Sequence, residues 1–264
     1  MVTTKIEWDD VDDDVRKAVE IHSGVILKAE TAQDGFNSQI AAVVQTTTGK
    51  VFVKGLGTDH PRVWTQHVEA AVNPYVREVA PGLLWHAETA RWNLLGFEYV
   101  HGRRADYSPD SEDLVKISES LRRLQKMPCP DLPLKRAEQR WSAYVDDPSA
   151  FAGDYLLHTD YNPENVLVAD RTHLVDWAWS TKGTGWIDPG CWVIWLMAAG
   201  DHSAESAEAW AARIPSWNTA PQDAVNAFAE ANAKLWAEIV QVDPNPWTAR
   251  MATAAERWSH YRIS

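Results

Sequence analysis

Along the first hundred residues the apolar positions fall into two periods. Val11, Val15 and Val19, with Ile21, recur at helical spacing among acids and predict a short amphipathic helix over residues 9–22. Three apolar runs follow, GVILKAET, SQIAAVVQT and KVFVKGL, short and β-branched as strands are. TTTGK is the turn between the second and third, and DGFNS is a glycine-containing loop between the first and second. Residues 61–79 start at Pro61 and read as helix, interrupted at Pro74. LLWHAET and WNLLGFEYV predict two further strands joined by a short turn.

Beyond HGRRADYSPD, a polar linker, the period changes. Leu114, Ile117, Leu121 and Leu124 mark a helix over 111–127, MPCPDLPL is too proline-rich to be regular, and a second helix is expected over 135–146. LLHTDYNPENVLVAD comes next, then THLVDWAW as a strand; after Asp188-Pro189-Gly190 the pattern is helical, with breaks near Pro215, Pro221, Pro244 and Pro246. Residues 1–100 are thus strand-rich with one prominent helix, and 101–264 mostly helical. This predicts a two-lobed α+β chain with its hinge at about 98–102 and a cleft where the linker joins the lobes.

Composition narrows the setting. A chain of 264 residues can bury a substantial core. Cys129 and Cys191 cannot make a disulfide framework and lack zinc-site spacing. With no apolar run in the first fifteen residues, a cytoplasmic location is expected, and no stretch is long enough to span a membrane. The net charge of −12 argues against nucleic acid and anionic lipid as partners and favours a cationic small molecule. Fifteen tryptophans are many for this length; five of them, at 177, 179, 186, 192 and 195, are expected mostly to pack the core, with an aromatic wall for a ligand as the alternative.

The polar centre of LLHTDYNPENVLVAD carries the chemistry. His158, Asp160 and Asn165 stand as H-x-D-x-x-x-x-N, and Asp176 follows Asp160 by sixteen residues at the end of a strand. Lys54 lies on the strand KVFVKGL, fifteen residues before Glu69 on the next helix. A strand lysine, a helix glutamate, an aspartate–asparagine loop and a second aspartate are the parts of a phosphoryl-transfer site, where charge stabilisation matters more than covalent chemistry. Mg²⁺ prefers hard oxygen ligands, and the apolar flanks LL and VLV would anchor the loop that carries two of these groups.

HTDYNPENVLV followed by LVDWAW and GWIDPG resembles the catalytic segment of the aminoglycoside phosphotransferases, small-molecule relatives of the protein kinases. The resemblance implies a bilobal protein-kinase-like fold, an N-terminal antiparallel lobe with one key helix, and a mostly helical C-terminal lobe. It assigns Asp160 as catalytic base and Asn165 and Asp176 as Mg²⁺ ligands. Lys54 would hold the α- and β-phosphates of ATP or GTP, oriented by Glu69. FEYVHG resembles the hinge, where backbone atoms of Glu98 and Val100 would meet the adenine, and in DGFNS Ser38 would donate to phosphate. One departure concerns the loop itself: the family's glycine before the aspartate is Thr159 here, a β-branched residue with a restricted backbone. Another is that the phosphate-side loop has one glycine, Gly35.

Taken singly, each of these residues has an ordinary explanation. His158 reads as a core histidine, Asp160 and Asn165 as turn residues, Lys54 as a strand-edge lysine and Glu69 as a helix charge, with His67 the alternative near it. Asp188 reads as a loop-holding or capping residue. Residues 201–245 carry seven acids against two bases, an acidic rim suited to an aminoglycoside or a basic peptide antibiotic, hence to antibiotic resistance. The other hypotheses are a metabolite kinase for choline, a sugar or an amino alcohol, and a non-catalytic nucleotide-binding module.

Overall fold

A computed structural model describes residues 4–32 and 38–264. Contacts divide the chain into one unit of Met1–Gly102 with Leu174–Ala178, and another of Arg103–His173 with Trp179–Ser264.

In the first unit, helix α1 (Asp13–Ser23) is followed by strands β1 (Ile26–Thr31), β2 (Ile40–Thr46) and β3 (Gly49–Gly57), helix α2 (Trp64–Val72), and strands β4 (Leu83–Glu88) and β5 (Trp92–Glu98). The strands form one antiparallel sheet in the order β1-β2-β3-β5-β4. Side chains alternate across a strand. Val51 and Val53 of β3 therefore point to one face, where they pack with Val15, Val19, Ile40, Val44 and Leu94 in a buried core. Lys54 points to the other. Trp85 lies across Gly96 so closely that an added Cβ there would fall 2.1 Å from the indole, and its Nε1 donates to Ser23 Oγ at 2.8 Å. Ile21, counted with the apolar face of α1, is 78% exposed; the buried stripe is Val15, Ala18 and Val19. The helix expected over 61–79 runs only to Val72 and passes into a 3₁₀ turn at Asn73–Tyr75, where Pro74 lacks the N–H needed to continue.

The second unit opens with β6 (Arg103–Arg104), α3 (Asp113–Leu124), β7 (Lys135–Arg136) and α4 (Ala137–Arg140). Strands β8 (Tyr155–Leu157), β9 (Val166–Val168), β10 (Thr172–Leu174) and β11 (Thr181–Gly183) follow, then helices α5 (Ile187–Ala199), α6 (Ala204–Ala211), α7 (Pro215–Asn218), α8 (Gln222–Val242) and α9 (Pro246–Ile263). The small sheets run β10-β9-β6 and β7-β11-β8. The helix expected over 135–146 shrinks to the single turn of α4, and the strand expected over 172–179 ends at Leu174, with a 3₁₀ turn at Trp177–Trp179. Helix α5 is buried along nearly its whole length, which explains an apolar run with no polar face. Trp141, Phe151, Trp186, Phe228 and Trp258 meet edge to face around it. Trp177, Trp186, Trp192 and Trp195 are buried, so packing accounts for them. Asn245 and Thr248 form a capping box that starts α9 beside Pro246. The fold is α+β, and no helix among the described residues is long and apolar enough to cross a membrane.

Candidate functional site

Lys54, Glu69 and Asp176 belong to the first unit and meet there. Lys54 Nζ lies 2.7 Å from Glu69 Oε2 and 3.2 Å from Asp176 Oδ1. Glu69 Oε1 accepts the Trp177 N–H at 3.3 Å, which ties α2 to the segment carrying Asp176. That segment is fixed further by the Leu174 N–H on Val79 O at 2.6 Å and by Trp177 Nε1 on Leu174 O at 3.0 Å. Side-chain exposure of 13% for Lys54, 4% for Glu69 and 15% for Asp176 shows that the charges are held mostly out of water. Burial alone would push the lysine to its neutral form, but the Asp176 and Glu69 carboxylates outweigh it and hold its pKa above the ordinary value. Burial raises the Glu69 carboxyl, against the opposing pull of the Lys54 ammonium. One amine with two carboxylates leaves the cluster with an excess of negative charge. Asp176 itself has φ +63°, a left-handed backbone that aspartate tolerates better than most residues.

Asp160 and Asn165 belong to the second unit. Asp160 Oδ2 accepts from Asn165 Nδ2 at 2.9 Å, and Oδ1 accepts the Asn162 N–H at 3.3 Å. Asn162 caps the 3₁₀ turn Pro163–Asn165 through the Glu164 N–H. The loop therefore closes on itself, with the two side chains in contact five residues apart. His158 is fully buried, and its Nδ1 accepts the Asp160 N–H at 3.3 Å, so its proton sits on Nε2 and the ring supports the backbone.

Thr159 adopts φ +66°, a conformation natural to glycine and strained for a β-branched residue. Two groups hold it there. Asp188, buried at the start of α5, accepts the His158 N–H at 3.0 Å on Oδ2 and the Thr159 N–H at 2.9 Å on Oδ1. Arg140 Nη1 donates to Thr159 Oγ1 at 2.7 Å, to Thr181 Oγ1 at 2.6 Å and to Trp179 O at 3.3 Å. Burial raises the Asp188 carboxyl to about 6 against the lowering effect of those backbone donors. Arg140 carried no signal in the sequence, because its partners lie nineteen to forty-one residues away on other elements.

The remaining sequence candidates are dispersed. Ser38 is buried just ahead of β2; Gly35 and the rest of DGFN lie outside the described residues. Glu98 ends β5; its N–H donates to Gly82 O at 2.8 Å, so only its backbone carbonyl could serve a ligand at that position. Val100 follows the strand, half-buried. His67 lies two residues from Glu69, hence on the opposite side of α2, and is exposed.

No family model matches the chain, and no curated protein matches it. Solved structures do. The choline kinase LicA from Streptococcus pneumoniae superposes with a TM-score of 0.65 at 13% identity, covering 94% of this chain and 98% of its own. Aminoglycoside phosphotransferase APH(4)-Ia gives 0.66 at 12% identity, covering 94% and 97%. A choline/ethanolamine kinase family protein from Mesorhizobium loti gives 0.60 at 17%, covering 96% and 94%. LicA has been solved with AMP, and a thermostable mutant of the phosphotransferase with ADP and hygromycin B. The chain therefore has the protein-kinase-like α+β fold of these structures.

Proposed function

We propose that the chain is a small-molecule kinase that transfers the γ-phosphate of ATP or GTP to a hydroxyl of a small cationic acceptor, an aminoglycoside or basic peptide antibiotic. The observation that carries this reading is the buried lysine between Glu69 and Asp176, in a chain that shares its fold with kinases solved with nucleotides.

The donor chemistry fits Mg²⁺. Asp176 offers a carboxylate, and Asn165 keeps its carbonyl oxygen for a metal because its amide nitrogen is engaged by Asp160. Bound Mg²⁺ and nucleotide would supply the activated phosphoryl group and neutralise its charge. Lys54, fixed in position and kept protonated, presents an ammonium to the phosphates, and Glu69 orients it. Asp160, aimed by Asn162 and Asn165, accepts the proton of the attacking hydroxyl. Ser38 and the backbone of Glu98 and Val100 complete the nucleotide's contacts in this reading.

The acidic rim supports a cationic acceptor in part. Glu208 is taken up by Arg262 and Trp258, and Glu238 by the Tyr144 hydroxyl. Asp201, Glu205, Asp223, Glu230 and Asp243 remain exposed. A second reading, kinase of choline or another amino alcohol, is favoured by the likeness to two choline-kinase structures. A panel of aminoglycosides, basic peptide antibiotics, choline and sugars, assayed for Mg²⁺-dependent nucleotide consumption, decides between them. Turnover confined to choline or ethanolamine would reject the antibiotic acceptor, and no turnover with any acceptor would reject both.

A further inference from the structure

Away from the buried Lys54 cluster and the Asp160 loop, His67, His86 and Glu88 place three metal-binding atoms within 4.8 Å of one another. His67 Nδ1 lies 3.8 Å from Glu88 Oε1, and His86 Nε2 lies 3.9 Å from the same oxygen. The geometry has a simple origin. His86 and Glu88 are two positions apart on β4, so they share a face of the strand, opposite Trp85. His67 comes from the side of α2 that Glu69 does not use. The three side chains are 48%, 30% and 57% exposed, so an ion can reach them without opening the fold.

A fourth group completes the arrangement. Asn93 of β5 pairs with Glu88 across the sheet and is 1% exposed. Its Nδ2 donates to His86 Nε2 at 2.9 Å and to Glu88 Oε1 at 3.0 Å, so the lone pairs of both acceptors converge on one point. Its Oδ1 is buried with no hydrogen-bond partner. A half-turn of the amide leaves its shape unchanged and turns that unsatisfied oxygen toward the same point.

We propose that His67, His86 and Glu88, with Asn93 Oδ1, form a site for a zinc-class divalent transition metal that ties α2 to edge strand β4. Two imidazoles and one carboxylate suit zinc, whereas magnesium and calcium prefer oxygen donors throughout. Tetrahedral ligation needs the donor atoms about 3.4 Å apart. Rotation of exposed side chains is enough to bring them there. Because α2 also carries Glu69, metal binding would stiffen the helix that holds the buried ion pair. The proposal stands on these four residues and does not depend on the kinase reading.

The test is calorimetric titration of the full chain with ZnCl₂, and with MgCl₂ for comparison, alongside His67→Ala, His86→Ala and, as a control on α9, His260→Ala. The expected result is one zinc per chain, bound at least tenfold more weakly by His67→Ala and His86→Ala and unchanged in His260→Ala, with no comparable magnesium binding. Hydrogen exchange should show α2 gaining protection on zinc addition in the native chain and not in His67→Ala. Equal zinc affinity in the native chain and both site variants, or no zinc binding by the native chain, overturns the proposal. The metal-free variants should match the native circular dichroism, since the removed side chains are exposed.

Discussion

Replacing Lys54 by methionine keeps most of the side-chain volume and removes the charge that Glu69 and Asp176 share. The two carboxylates then face each other, largely shielded from water, without their ammonium. Breaking a buried pair by removing one partner costs about 3–5 kcal/mol. The partial exposure of Lys54 and Asp176 favours the lower half of that range. With a urea m-value of about 2 kcal/mol/M, the unfolding midpoint should fall by roughly 1.5–2 M. The double variant Lys54→Met/Glu69→Gln, which also removes one of the stranded carboxylates, should recover about 1–2 kcal/mol of the loss. The pH dependence has a defined sign. Without the ammonium, burial holds the Glu69 carboxyl above its unfolded-state pKa with the opposing pull of Lys54 gone, so the native state binds a proton more readily and the deficit shrinks as pH falls through the carboxylate range. Urea titrations of the three proteins at neutral and mildly acidic pH check this. A loss under about 1 kcal/mol, the value of an exposed pair, would refute the argument. So would a double variant less stable than the single one.

Two further predictions concern positions fixed by packing. Asp188 has a folded-state carboxyl raised to about 6, so the native state holds its proton where the unfolded state has lost it. Its contribution to stability should therefore decline by about 2 kcal/mol as pH rises from 4 to 7, and the melting-temperature difference between the native chain and Asp188→Asn should change in that window; a pH-independent difference refutes it. Gly96→Ala would drive a methyl group into Trp85, so the variant should lose at least about 1–3 kcal/mol in urea unfolding, and unchanged stability would show that the indole moves aside freely.

Much of this architecture was legible from short apolar runs and the turn residues between them. The runs that became β2 and β3 are rich in β-branched residues and the run that became β5 is apolar and aromatic, and such short apolar runs between turn residues are what strands buried on both faces look like. The helix expected over 135–146 failed because Trp141 leaves the helix to pack edge-on against Phe151 and Phe228, a tertiary demand that no local pattern records. Lys54, Glu69 and Asp176 were named from spacing, and the structure puts them within hydrogen-bonding distance. The support around the Asp160 loop was less visible. Thr159 stands where the resemblance implies glycine; its left-handed backbone is held by Asp188, twenty-nine residues on, and by Arg140, nineteen residues back. The cluster of His67, His86 and Glu88 arises only once α2 lies beside β4.

The central claim is that Asp160 serves proton transfer in a nucleotide-dependent phosphorylation. Its most direct test is Asp160→Asn, assayed with an acceptor from the panel for Mg²⁺·ATP binding by calorimetry and for phosphate transfer by phosphorus NMR. The account predicts that the variant binds Mg²⁺·ATP like the native chain and transfers phosphate at least about 100-fold more slowly. Transfer at the native rate by Asp160→Asn, or a native chain that binds no Mg²⁺·ATP, would contradict it.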